Sequence, residues 1–302
     1  MGVTEQNIFE VPPDSYPHGT PQNLTINGIS TWYWEYGNPK GEPLLLIHGF
    51  RGDHHGLELI GSSLSEYRVI IPDLPGFGKT EAFPSGQHNI DAYGQWLHAL
   101  MLSLSHQQRS IYLIGHSFGS IICSYTASTY PQQVKKLSLI NPISQCPLKS
   151  SAQALTLAVQ GYYWLGSRLP SFLGVPLLRS TIITRIMSEI MMKTKTPQLR
   201  SFINTQHHLY FGSFASAQSV YEAYKISTQH TAAEYIGHVP VPVHMIVAEK
   251  DDLGTLETQH LMYQKIRQGK IDIIPEVGHL IHYETPRYAA QLIRSFIMEE
   301  NA

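Results

Sequence analysis

The chain has 302 residues, with 21 Lys and Arg against 23 Asp and Glu, a formal net charge of −2 and no basic run. That balance argues against nucleic acid or an anionic membrane as the main partner, because both demand clustered cations, and leaves small-molecule chemistry as the expectation. Cys123 and Cys146 are too few for a disulfide framework or a structural zinc cluster. With no signal-peptide pattern at the start and no run of eighteen apolar residues, a soluble cytoplasmic protein without an integral membrane segment is expected.

Residues 1–22, rich in Pro and polar side chains, read as a terminal arm on the surface with no part in the core. Gln6 stands where the myristoylation pattern opened by Met1 and Gly2 wants Ser or Thr. From Leu24 to Tyr36, two short alternating runs flank Asn27 and Gly28 and predict a β-hairpin. Pro43 to Ile47 is an unbroken apolar run, the pattern of a strand covered on both faces, and it ends in His48, Gly49 and Phe50. A helix with a loop-like start over Gly52 to Tyr67 and a strand from Tyr67 to Pro72 complete a strand, helix, strand unit.

That second strand runs into Asp73-Leu74-Pro75-Gly76-Phe77-Gly78-Lys79-Thr80, whose end imitates a phosphate-binding loop. The loop would need Gly where Asp73 stands, and Pro75 removes an amide it would use as a donor, so no nucleotide cofactor is expected. Apolar residues at helical spacing from Ile90 to Ser105 predict a helix packed on the sheet.

The stretch from Arg109 to Ser120 organises the rest. Ile111 to Ile114 is β-branched and aromatic enough for a buried strand, and it breaks into Gly115-His116-Ser117-Phe118-Gly119 ahead of a helix that stops before Pro131. A strand turning sharply into a helix needs glycine on either side, because the two backbones pass too close for side chains. The Ser117 hydroxyl is then exposed at a helix N-terminus, where amides and dipole favour negative charge. Val134 to Ile140 adds another strand, and the sheet reads as mostly parallel.

Between residues 143 and 237 the pattern changes to longer helical segments carrying Tyr162, Tyr163, Trp164, Met187, Met191, Met192, Phe211, Phe214 and Tyr224. This predicts a helical lid over the strands' carboxyl ends, part of it lining an apolar pocket above Ser117. The strand pattern resumes at Val241 to Val247, followed by Glu249-Lys250-Asp251-Asp252, a helix near 255–267, a last strand from Lys270 to Ile274 and a closing helix from Pro286 to Met298. Gly278 and His279 follow the last strand.

With the serine turn, the strand-ending HGF, PDLPGFGKT, EKDD, and GH before a final helix in this order, the chain resembles the α/β-hydrolase fold family over nearly its whole length. The resemblance implies an α/β fold, a mostly parallel sheet flanked by helices, with a core of 23–142 and 238–302 and a helical lid of 143–237. It also implies a triad in the order nucleophile, acid, histidine, carried by Ser117, Asp251 and His279. Serine is a poor nucleophile at neutral pH, so His279 must take its proton while a buried carboxylate holds the imidazole. Asp252 competes with Asp251 for the acid role, and Asn141 stands where some relatives place the acid. Backbone amides of Phe50 and Phe118 are the expected oxyanion donors. His48 reads as a structural histidine bracing the HGF loop. His54 and His55 lack the H-E-x-x-H spacing and a third ligand, so no metal is expected.

Relatives that use an aspartate nucleophile are disfavoured by Ser117. The expected reaction is hydrolysis of a carboxylic ester with an apolar acyl group. Thioester hydrolysis, acyl transfer and C–C bond cleavage by the same triad are the alternatives, and a small-ligand receptor on this fold is the alternative from another class. Neither the oligomeric state nor the acyl chain length is legible.

Overall fold

The computed structural model describes residues 8–13, 15–84, 86–105, 110–146 and 153–299. Residues 1–7 of the predicted arm, Arg109 and residues 147–152 of the predicted lid lie outside that set.

Eight strands form one sheet: β1 (Thr20–Ile26), β2 (Ile29–Gly37), β3 (Pro43–Ile47), β4 (Arg68–Pro72), β5 (Ile111–His116), β6 (Val134–Ile140), β7 (Val243–Ala248) and β8 (Gly269–Ile274). Their spatial order is β1-β2-β4-β3-β5-β6-β7-β8. The hairpin strand β1 and the β2–β4 pair are antiparallel, and every other pairing is parallel. Asn27 and Gly28 both adopt positive φ, 50° and 81°, the backbone that a two-residue turn needs to match the strand twist. The strand starts at Thr20 rather than Leu24, because the first residues of β1 are exposed and carry no apolar alternation to read.

Apolar runs become central strands because both faces are covered. Leu45, Ile47, Leu113 and Leu137 point to a core shared with α2 (Ile90–Leu104) and α3 (Phe118–Thr129). Leu44, Leu46, Tyr112 and Ile114 point the other way, towards α1 (Glu58–Ser62) and α12 (Pro286–Met298). The alternation is the period-two geometry of a strand buried on both sides.

Between β6 and β7 lie α4 (Gln153–Arg168), α5 (Ser171–Leu178), α6 (Thr181–Met191), α7 (Pro197–Tyr210), α8 (Ala217–Gln229) and α9 (Ala232–Tyr235). An isolated bridge from Phe214 to Phe77 ties this insertion to the loop after β4. Beyond β7 come α10 (Leu256–Tyr263) and the short α11 (Ile281–Glu284). None of the described helices is long and apolar enough to cross a membrane.

Two expectations change. The arm does enter the core: Ile8 is buried against the α1 and α12 side, and the Glu10 carboxylate accepts from the Arg287 and Tyr288 amides at the start of α12. The helix predicted after Arg51 shrinks to a 3-10 turn at His54–Leu57 and the five residues of α1. Its end is set locally, because the hydroxyls of Ser62 and Ser63 both donate to the Leu59 carbonyl.

Candidate active site

Ser117 sits between β5 and α3 with φ 52° and ψ −115°, a strained conformation for a residue with a side chain, of order 1–3 kcal/mol. Sequence explains why the chain accepts it. A Cβ on Gly119 would lie 2.3 Å from the Ile47 carbonyl oxygen of β3, and one on Gly115 would lie 2.6 Å from the Gly119 carbonyl oxygen. Only glycine lets α3 pack this close to the strand ends, and the close packing holds the turn. The Ser120 hydroxyl adds a 2.5 Å hydrogen bond to the Ser117 carbonyl and accepts from the Ile143 amide.

The structure brings the three predicted side chains together. His279 Nε2 lies 2.8 Å from Ser117 Oγ, and His279 Nδ1 lies 3.1 and 3.0 Å from the two Asp251 oxygens. All three residues are buried. The Leu253 amide donates to Asp251 Oδ1 and fixes the carboxylate. Asp252 points elsewhere: its carboxylate pairs with Lys193 Nζ at 2.5 Å and is about half exposed.

Asn141 occupies the end of β6 as the bracket between two loops. Its Oδ1 accepts from the Ala248 amide at the end of β7, and its Nδ2 donates to the Gly278 and His279 carbonyls. The residue that departs from the alternative acid position thus sets the spacing of the Asp251 and His279 loops.

Phe50 and Phe118 flank the serine, their rings edge to face at 6.3 Å. A Cβ on the preceding Gly49 would lie 3.3 Å from Ser117 Cβ, which places the HGF loop directly against the nucleophile turn. Neither the Phe50 nor the Phe118 amide donates a hydrogen bond among the described residues. Two free amides beside a serine at a helix start are suited to receive a developing oxyanion. His48 braces that loop: Nδ1 donates to the Gly49 carbonyl at 2.8 Å, and Nε2 accepts from the Leu74 amide at 2.9 Å. Burial lowers its pKa, in keeping with this neutral tautomer.

Sequence reasoning missed three polar features. Arg51, at φ 62°, is buried and reaches into the insertion. Its guanidinium donates to the Phe211 carbonyl, to the Tyr163 hydroxyl and to the Leu178 carbonyl at 2.7 Å, without a carboxylate partner among the described residues. Leu178 ends α5 and Phe211 caps α7, so two helix C-termini with their unpaired carbonyls and negative dipole ends offset the buried cation.

Glu284 is the second. Its buried carboxylate accepts from the Lys193 and Thr194 amides, both at 2.7 Å, and from the Gly278 amide at 3.2 Å, tying the α6–α7 link to the His279 loop. Burial raises its pKa against the lowering effect of those donors. The third is a buried imidazole cluster behind His279. The His116 ring lies 5.3 Å from that of His279 and 4.2 Å from that of His282, and burial brings His116 down to about 3.

The third ligand held to be missing beside His54 and His55 is present in space: Asp53 brings a carboxylate within 4.8 Å of ligand atoms of both. The side chains are nonetheless engaged with one another and with the loop. His54 Nδ1 bonds Asp73 at 2.8 Å, and Asp53 caps the 3-10 turn by accepting from the His55 amide and ring. Asp73 also accepts from the Lys79 amide, so the segment imitating a phosphate loop is a folded turn around a buried carboxylate.

The description "alpha/beta hydrolase fold" belongs to the family model that matches residues 42–286. Lipase 1 of Psychrobacter immobilis is 25% identical over 284 residues, covering 91% of this chain and 83% of that protein. Lipase 3 of Moraxella sp. (strain TA144) is also 25% identical over 284 residues, covering 91% and 84%. Among solved structures, a thermophilic esterase from Thermogutta terrifontis superposes with a TM-score of 0.71 at 22% identity, covering 92% of this chain and 98% of that one. A match over this span, together with the sheet order and the strand-end turns, means that the chain belongs to the α/β-hydrolase fold family.

Proposed function

We propose that this protein is a serine carboxylic ester hydrolase that takes an apolar acyl group through an acyl-enzyme on Ser117. The observation that carries this reading is the continuous hydrogen-bonded line from Ser117 Oγ through His279 to Asp251. In it, His279 Nε2 accepts the serine proton as Oγ attacks the ester carbonyl, and Asp251 stabilises the imidazolium through Nδ1. The tetrahedral oxyanion takes hydrogen bonds from the Phe50 and Phe118 amides, and its collapse expels the alcohol with the proton returned from Nε2. Water repeats the sequence on the acyl-enzyme and frees the acid.

The apolar preference is supported by the aromatic wall beside the oxyanion loop. Phe50 packs on Tyr163 of α4 at 5.6 Å and on Tyr224 of α8 at 5.8 Å, and this contact supports reading residues 143–237 as a lid. The named relatives are lipases, and their substrate class agrees with such a wall.

A fluorophosphonate probe and nitrophenyl esters of graded acyl length test the reading. Wild-type protein is expected to label on Ser117 and to turn over repeatedly, faster on acyl chains longer than acetyl. Labelling that survives Ser117→Ala, or a single turnover without release, would reject it, the second outcome in favour of the receptor alternative.

A further inference from the structure

Helix α6 is built inside out. The residues it buries are Thr184 and Ser188, and Ser188 spends its hydroxyl on His207 at 2.8 Å. Ile182, Ile186 and Ile190, spaced four apart on one face, are 72%, 54% and 51% exposed. Together with Met187 they present roughly 400 Å² of apolar surface, the size of the largest such patch on a typical monomer, which is often functional. A globular helix normally turns such a stripe to the core. The open groove along it is lined by Ile182, Arg185, Ile186, Glu189 and Ile190.

The insertion that carries this face is one-sided in charge, which the small net charge of the whole chain conceals. Residues 143–237 hold eight Lys and Arg against three Asp and Glu, leaving thirteen against twenty for the rest. All three acids are engaged within the fold: Glu189 by Arg200 and Asn204, Glu222 by the Gly86 amide and Gln218, Glu234 by Thr231 and His230. The side chains of Arg168, Arg185 and Lys195 are exposed and make no hydrogen bond or ion pair among the described residues. Arg185 stands on the stripe itself, one residue before Ile186.

We propose that the outer face of α6 docks the protein onto an anionic phospholipid surface, with Ile182, Ile186 and Ile190 entering the headgroup and acyl boundary and Arg185 meeting the phosphates. An apolar stripe with an unpaired cation, Arg185, beside it on a segment of net positive charge is what an interfacial helix offers an anionic surface. Charge favours lipid over a second copy of the chain, since a symmetric pair would bring the same cationic insertion against itself. Docking of this kind needs no active serine and stands apart from the acyl-enzyme chemistry.

Co-sedimentation of full-length Ser117→Ala protein with phosphatidylcholine vesicles, with and without phosphatidylglycerol, tests the docking separately from catalysis. The expected result is binding that depends on phosphatidylglycerol and weakens with salt. It should fall on the order of tenfold or more in an added Ile182→Glu/Ile186→Glu pair, and severalfold in Arg185→Glu. In the wild-type background the same surface changes should leave hydrolysis of a soluble nitrophenyl ester within about twofold, which reports an intact fold. If the isoleucine pair fails that check, Ile186→Ser replaces it. Binding that ignores phosphatidylglycerol or survives the substitutions overturns the proposal. So does absence of binding, or a dimer in sedimentation velocity that Ile186→Glu dissolves.

Discussion

Along β5 all six residues from Ile111 to His116 are buried, whereas along α6 the buried residues are Thr184 and Ser188, and Ile182, Ile186 and Ile190 face out. In the sheet, each apolar residue has a place fixed by two neighbouring strands and a covering helix, and the ends of those strands inherit that rigidity. Ser117, Asn141 and Asp251 all follow such ends. The insertion shares part of the core with this frame through Tyr163, Leu178, Val220 and Tyr224, and polar ties join the two as well, among them Arg51 on α5 and α7, Glu284 on the α6–α7 link and Lys193 on Asp252. Substitutions in the frame should therefore strike chemistry without moving the insertion. Substitutions in the ties should act on geometry by degrees.

The sharpest contrast comes from the frame. Ser117→Ala is expected to lower kcat by on the order of a million-fold, with the thermal midpoint close to wild type, and His279→Ala to be similarly crippling. Steady-state hydrolysis of a nitrophenyl ester checks both, and a variant keeping a tenth of wild-type turnover would remove the triad mechanism. Arg51→Ala loosens a tie instead. With the loop that carries Phe50 no longer held under α5 and α7, kcat/KM should fall by up to ~100-fold, the scale of an ångström-sized misplacement. The loss should lie mainly in kcat, and Arg51→Lys should not restore it, because an ammonium lacks the fork that reaches three acceptors in different directions. Equal losses from the lysine and alanine variants separate geometry from charge.

This contrast also explains what the sequence reveals. Runs such as Leu44 to Ile47 are legible because a strand covered on both faces needs apolar residues throughout, and the glycines beside Ser117 because no other residue fits there. Convergence of Ser117, Asp251 and His279 follows from the shared rim of a parallel sheet. Arg51 and Glu284 were invisible, since a lone arginine after HGF or a glutamate in a short helix has no spacing that announces partners more than eighty residues away. Ile8 is missed for a related reason: Ile8, Phe9 and Val11 ahead of two prolines make too short a run to show a period. The outward stripe of α6 reads in sequence as an ordinary amphipathic helix, because periodicity gives a face and not its direction.

Buried histidines test whether frame and insertion unfold together in acid. Burial lowers His88 in the frame to about 4, and His116 in the frame and His207 in the insertion to about 3. Between those values and the ordinary 6.5, the unfolded chain binds protons that the folded one does not, so stability falls as pH drops through that window. Each group contributes up to about 1.4 kcal/mol per pH unit crossed. Glu284 acts in the opposite sense, because its raised pKa lets the folded chain hold a proton above the usual carboxylate range. Urea midpoints measured from pH 7 down to pH 4 should decline steadily, and a flat profile would deny the histidines their neutral burial. A single transition, followed by probes in each region, would mean that the shared core and the ties make the two regions unfold as one.

The smallest effect expected comes from the residue beside the candidate acid. Asp252 is adjacent to Asp251 in sequence yet meets Lys193 of the α6–α7 link, with its side chain about half in solvent. An exposed ion pair is worth little, roughly 0–1 kcal/mol, and is screened by salt. Asp252→Ala should therefore change kcat by less than about threefold and lower stability by a fraction of that range. Asp251→Asn should by contrast cost on the order of ten-thousand-fold, because an amide cannot hold the imidazole in the needed tautomer. If the two results were exchanged, the acid would have to reach His279 from the exposed side, and the loop set by Asn141 would have to rearrange when substrate binds. The Asp252 variant also isolates the weakest of the three ties. A loss of lipid-vesicle binding without loss of ester turnover in it would show that Lys193 helps to orient α6 outward.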